Sequence, residues 1–159
     1  MSVQVGDQIP DVTLKVMGEK GPTDATTKDL FGGKKVVLFA VPGAFTPTCS
    51  ASHLPGFVVN ADKIKARGVD SIICVSVNDA FVMDAWGKDK HADELIMAAD
   101  GNGDFARAMG LTMDGSGFGM GIRSQRYALI AEDGKITALQ VEAPGKFEVS
   151  SAEAIMENL

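Results

Sequence analysis

Thiols are scarce in this chain: among 159 residues only Cys49 and Cys74 carry one. Cys49 stands where a thiol can do chemistry. In VPGAFTPTCS (41–50) a threonine precedes a proline and the cysteine follows two residues later. Threonine is a good helix N-cap, and proline suits the first helical position, where its missing N–H is not needed. With Thr46 as N-cap and Pro47 next, Cys49 falls in the first helical turn. Free backbone N–H groups and the positive end of the helix dipole stabilise an anion there. The setting therefore favours the thiolate, which is the nucleophilic form. The apolar run VVLFAV (36–41) leads into the motif, so the thiol lies at the carboxyl end of a buried strand, where open α/β sheets place their ligands. On these grounds alone a second reading stays open: Cys49 as a small apolar side chain filling a strand–helix junction.

The elements that must hold this thiol are legible along the chain. VTLKV (12–16) alternates like a half-buried strand, the turn-rich MGEKGPTDATT follows, and TKDLF offers a short helix. After VVLFAV the pattern predicts a helix from Pro47 to about Arg67, kinked at Pro55-Gly56 and stopped by Gly68. VDSIICVSV (69–77) is a second buried strand, Asp79 caps a helix through AFVMDAWGKDK, and ELIMAA (94–99) is another strand. DFARAMG (104–110) reads as a short helix with an Asp cap and a Gly stop. RYALIAEDGKITALQV (126–141) is a hairpin turning at Asp133-Gly134, and Ser150 with Glu153 forms the capping box of a last helix, SAEAIMENL. This order predicts an α/β fold in one continuous domain, residues 1–159: a mixed central β-sheet flanked by helices. It resembles thioredoxin-like topology with an N-terminal extension.

Composition narrows the partners. Hydrophobic residues make up 45% and charged residues 23%, an ordinary globular mixture. The net charge of −6, without a basic patch in the sequence, argues against nucleic acid or an anionic membrane as partner. VVLFAVPGAF is too short and too interrupted to span a bilayer, and MSVQVGDQIPD lacks the regions of a signal peptide. Two cysteines without Cys-x-x-Cys or zinc spacing give neither a disulfide framework nor a metal site. A reducing cytoplasm is the expected setting.

P42-G-A-F-T46-P-T-C49 is similar to the Pro-x-x-x-Thr-x-x-Cys signature of the peroxiredoxins, and VPGAFTPTCSASHLPGF resembles their subfamily 5, or type II, closely. The likeness extends through VSVNDAFVMDAW (75–86), GIRSQRYAL (121–129) and KFEVSSAEAI (146–155), nearly the whole chain. It implies a thioredoxin fold and a thiol-dependent peroxidase acting on hydrogen peroxide and alkyl hydroperoxides, with no metal, haem or flavin. By that resemblance Cys49 is the peroxidatic residue, oxidised to a sulfenic acid as it reduces the peroxide. The Thr46 hydroxyl accepts from the peroxide and donates to sulfur or oxygen. Arg126, in RSQRY, supplies rigid donors and a permanent charge, with Arg123 in support. Pro42 shields the sulfur from water. A homodimer is expected on the same ground. Some members of subfamily 5 carry a resolving cysteine in the C-terminal segment, but EAPGKFEVSSAEAIMENL contains none. That departure implies a one-cysteine cycle reset by an external thiol, either glutathione with glutaredoxin or thioredoxin.

Other features compete for attention. Cys74, inside SIICVSV, reads as an inert core residue. His53 follows Cys49 by four residues and shares its helical face. As a Cys–His pair the two describe a cysteine hydrolase; otherwise His53 is structural. A redox sensor that oxidises without turnover is the non-enzymatic rival. His91 reads as a surface residue. D100-G-N-G-D104 begins like a calcium loop, but Phe105 and Leu111 stand where Gly and Glu are required. GSGFGMG (115–121) does not match a nucleotide-binding loop; either it lies near the site, with Phe118 or Met120 as apolar wall and Trp86 at a dimer contact, or each of these residues is ordinary core or surface packing.

Overall fold

The computed structural model describes residues 2–159 and begins with a hairpin, β1 (Thr13–Gly18) and β2 (Gly21–Thr26). α1 (Thr27–Phe31) leads into β3 (Lys35–Val41); a π-helical turn (Cys49–His53) then runs directly into α2 (Leu54–Lys65). β4 (Ser71–Ser76), α3 (Ala80–Asp89), β5 (Ile96–Ala99) and α4 (Asp104–Met109) follow. A small hairpin, β6 (Thr112–Asp114) and β7 (Ile122–Ser124), precedes β8 (Tyr127–Glu132), β9 (Lys135–Val141) and α5 (Ala152–Met156).

Among the described residues seven strands form one sheet in the order β2-β1-β5-β4-β3-β8-β9. β3, β4 and β5 run parallel, and the outer strands pair antiparallel. This is the mixed α/β sheet that the sequence predicts. β3 lies inside it and is buried on both faces, which explains its unbroken apolar run. Val37, Phe39 and Val41 face one core with Ile72 and Cys74 of β4, under Phe57 of α2 and Trp86 of α3. Val36, Leu38 and Ala40 face the other, with Phe31 of α1 and Phe105 of α4. Phe39 and Phe57 stack with centroids 4.0 Å apart, tying α2 to the sheet just below the start of its helix.

Several local expectations shift. The turn-rich stretch after β1 contains β2, an edge strand that tolerates Pro22 because only one side of it is paired. The irregularity expected at Pro55-Gly56 is the π-turn just before it, closed by the Leu54 N–H donating to the Cys49 carbonyl. Pro55 has no N–H to continue an α-helical ladder, and a wider turn removes that demand. Gly68, at φ +91°, ends the helical segment as expected. Asp79 caps α3 through its bond from the Val82 N–H, 2.8 Å. α4 is capped by Asp100 rather than Asp104: its carboxylate accepts from the N–H groups of Phe105 and Ala106, both at 2.9 Å. Ser151, not Ser150, caps α5. Asp133 and Gly134 both take positive φ at the β8–β9 turn, the geometry a two-residue hairpin needs.

Candidate active site

The site begins where β3 runs out. Pro42 and Gly43 leave the strand, and Phe45 takes φ +64°, uncommon for a bulky residue. A Cβ on Gly43 would sit 3.0 Å from Thr46 Cγ2 and 3.2 Å from Arg123 Nη1, so glycine lets these side chains close tightly on the loop. The Ala44 N–H donates to Asn78 Oδ1 at 2.9 Å, tying the loop to the end of β4. The Thr46 carbonyl accepts from the Ser50 N–H at 2.9 Å, which fixes the helix start at the predicted place. Its hydroxyl donates to the Gly43 carbonyl at 2.6 Å. The Thr46 proton is therefore committed to the loop rather than to sulfur, and what the hydroxyl offers a substrate is its lone pairs.

Cys49 opens the π-turn and is wholly buried. Arg126, immediately before β8, donates from Nη2 to Cys49 Sγ at 3.1 Å and from Nη1 to His53 Nδ1 at 2.8 Å. His53 Nε2 in turn donates to the Ser150 carbonyl at 2.8 Å. These two bonds set the tautomer, because Nδ1 must be the acceptor toward a guanidinium. The imidazole packs against Phe39 at 5.0 Å and Phe147 at 4.9 Å. Burial, and then the Arg126 charge, lower the His53 pKa to about 3, so the ring is neutral at ordinary pH. With both nitrogens occupied it is no base for Cys49, and the hydrolase reading loses its proton acceptor. The histidine is structural, and what it holds is the arginine.

Arg123 takes a different post. It donates from Nε to the Met120 carbonyl at 2.8 Å and from Nη1 to the Pro42 carbonyl at 3.4 Å, steadying the loop rather than the sulfur. A cavity of about 340 Å³ opens beside the site, with Pro42, Thr48, Met113, Gln125, Arg126 and Phe147 among its walls. Arg126 thus touches both the cavity and the thiol. Phe118, 86% exposed, takes no part in these walls; Met113 and Phe147 supply the apolar surface expected of it. Trp86 is wholly buried and donates to Ser50 Oγ at 2.9 Å, so it faces the helix start and not a neighbouring subunit. Cys74 lies in the same core cluster as Cys49, paired across the sheet with Phe39. Burial, followed by the charge of Cys49, pushes the Cys74 thiol up, so it stays protonated.

The structure thus gathers Cys49, Thr46, Pro42 and Arg126 at one strand end. Sequence reasoning missed Ser150, Phe147 and Glu142. His53 and Ser150 are 97 positions apart, and only the fold joins them. The arrangement suits attack on a peroxide: a thiol at a helix start, a guanidinium on its sulfur, and a small cavity between that guanidinium and solvent.

Comparison with known proteins agrees. Residues 4–156 match the Redoxin family. The chain is 48% identical to peroxiredoxin-2B of Arabidopsis thaliana, covering 99% of this chain and 98% of that one. It is 41% identical to the hybrid peroxiredoxin hyPrx5 of Haemophilus influenzae, covering 100% of this chain and 67% of that protein. Among solved structures, reduced Prx3 from Vibrio vulnificus in complex with hydrogen peroxide superposes with a TM-score of 0.95 at 55% identity over 98% of both chains. A thiol under an arginine at the end of a buried strand, in a chain related along its length to these proteins, places it in the Redoxin family as a peroxiredoxin, a thiol peroxidase.

Proposed function

We propose that the chain reduces hydrogen peroxide and alkyl hydroperoxides at Cys49 and is reset by an external thiol. The observation that carries the site assignment is Arg126 Nη2 at 3.1 Å from Sγ. The Cys49 thiolate attacks one peroxide oxygen, the S–O bond forms as the O–O bond breaks, and the second oxygen leaves as water or alcohol by taking up the proton that the Cys49 thiol released on ionising. Sulfur is oxidised to the sulfenic acid and the peroxide is reduced. Arg126 stabilises charge spread over sulfur and both oxygens. Thr46 accepts the peroxide O–H, and Pro42 keeps water from the sulfur. A free thiol then condenses with the sulfenic acid, releasing water, and a second thiol frees Cys49 as the disulfide leaves.

The burial of Cys74 in the sheet and the absence of any cysteine after it support the one-cysteine cycle. The reductant is glutathione with glutaredoxin, or thioredoxin. Two free thiols support a reducing, cytoplasmic setting. Exposed Phe45, Phe81 and Phe118 support a homodimer: the Ala44–Asn78 bond joins the Phe45 loop to the segment before α3, which carries Phe81, and Gly43 abuts Met120 beside the Phe118 turn. A second reading has one observation behind it. Cys74 shares a core cluster with Cys49 and feels its charge, so unwinding of the π-turn could let it act as an internal resolving thiol.

Peroxide consumption with glutathione plus glutaredoxin, and separately with thioredoxin, tests both. Cys49→Ser should lower turnover at least a hundredfold, as expected for loss of a nucleophile (about 10² or more). Cys74→Ser should leave it intact with the better reductant. Loss of turnover in a folded Cys74→Ser protein would replace the one-cysteine cycle with the internal disulfide.

A further inference from the structure

Glu142, next after β9, has a buried side chain that gathers the segment following it. The Glu148 N–H donates to both of its oxygens at 2.9 Å. Oε2 also accepts from the N–H groups of Val149 and Ser150 at 2.8 Å and from the Ser150 hydroxyl at 2.7 Å. Burial alone would raise the pKa of this carboxyl, but the bonds from Glu148, Ser150 and Val149 outweigh it and hold the group below the usual carboxylate value. It is therefore charged at neutral pH.

The loop so folded, 143–149, lays Phe147 against His53 and under the Arg126 guanidinium, 5.8 Å from ring centroid to Cζ. Ser150, which gives two of the five donor contacts, presents its carbonyl to His53 Nε2. The Glu142 N–H donates to the Arg126 carbonyl at 3.0 Å, so the circuit closes on the residue it serves. Arg126 is bonded to Glu142 through the backbone and again through Ser150 and His53. A guanidinium on a flexible stem has many rotamers; here each edge has one acceptor.

We propose that Glu142 is the positioning residue of this site: its carboxylate pins the 143–149 loop and the Ser150 carbonyl, these orient His53, and His53 holds Arg126 with its other edge on Cys49 Sγ. The consequence for rate rests on the peroxidase reading above, whereas the geometry does not. A misplaced guanidinium loses transition-state stabilisation without leaving the site, and small displacements of a catalytic group are costly.

The test is Glu142→Gln, alone and with Arg126→Lys. Arg126 Nη1 and Nη2, each on its own acceptor, should give separate guanidinium NMR signals in the unmodified protein. In Glu142→Gln those signals should merge as the group begins to rotate, and the amides of residues 148–150 should exchange faster. Single-turnover oxidation of Cys49 by hydrogen peroxide should slow by up to about a hundredfold, the loss that a misplacement of about 1 Å can cause. In an Arg126→Lys background the same change should cost nothing further, because it acts only through that arginine; a purely structural role would give the same loss in both backgrounds. Separate guanidinium signals persisting while the 148–150 amides exchange freely would overturn the proposal, as would an undiminished loss beside Arg126→Lys. Should Glu142→Gln fail to fold, His53→Phe, an apolar ring among Phe39, Phe57 and Phe147, breaks the circuit one link later and must show the same merging and the same lack of additivity. If Cys49 in the unmodified protein reacts no faster than free cysteine, the peroxidase reading falls, and the guanidinium signals still decide the lock.

Discussion

His53 carries a cost that depends on pH. Unfolded, its imidazole takes up a proton near its ordinary value of 6.5; folded, it does so only near 3. Between those values the unfolded chain binds the extra proton, so stability is full above pH 6.5 and falls as the pH drops toward 3. The slope is about 1.4 kcal/mol per pH unit and the whole effect on the order of 4–5 kcal/mol. Glu142 acts in a lower window: its depressed carboxyl favours the fold above the ordinary value of 4.5 and loses that contribution only as pH falls through its folded value. Urea unfolding between about pH 5 and 6.5 lies above the Glu142 window, and the difference between the unmodified protein and His53→Phe separates the histidine from Asp100, whose carboxyl burial pushes up. His53→Phe should abolish most of the slope there; a slope equal to that of the unmodified protein would mean that His53 is not the titrating group.

At the scale of elements, α3 meets β5 through a glycine. A Cβ on Gly87 would lie 2.8 Å from Met97 Cγ, well inside contact distance. Gly87→Ala gains about 1 kcal/mol of helix propensity and loses about 1–3 kcal/mol to overpacking, so a net destabilisation is expected. Urea midpoints measure it, and adding Met97→Ala should reverse the sign of the change at position 87. This contact also shows where reading the sequence stops. β3, β4 and the β8–β9 hairpin are plain because burial on both faces, or a turn with two positive φ values, leaves a local imprint. β2 leaves none: GPTDAT is polar and becomes a strand by pairing with β1. The π-turn is half legible: Pro55 marks an irregularity, but its form as a wider turn just before that residue goes with the packing of Cys49, Leu54 and Phe57 into one cluster. Cys49, Thr46 and Arg126 are legible as motif residues; the Glu142–Ser150–His53 circuit that aims Arg126 joins residues up to 97 positions apart and has no local signature.

For the whole molecule, the apolar side chains left outside both cores decide association. Phe118 is 86% exposed, Phe81 65% and Phe45 51%, and they belong to segments already linked around the active-site loop. Sedimentation should give twice the mass of one chain, and Phe118→Asp should give a single chain with an unchanged far-UV circular dichroism spectrum and a melting temperature no longer dependent on protein concentration. A single chain in the unmodified protein at micromolar concentration would remove the homodimer. The proposed homodimer would bring its contact close to the site, because Pro42 and Phe45 lie on one loop within four residues of each other.

Trp86 gives the molecule one more property. It is the only tryptophan in the chain, and its indole N–H is bonded to Ser50, the neighbour of Cys49. All of the indole fluorescence therefore comes from a fluorophore attached to the turn that holds the sulfur. Oxidation that disturbs this turn changes the emission directly, so the redox state of the thiol can be followed optically in the unlabelled protein, one turnover at a time.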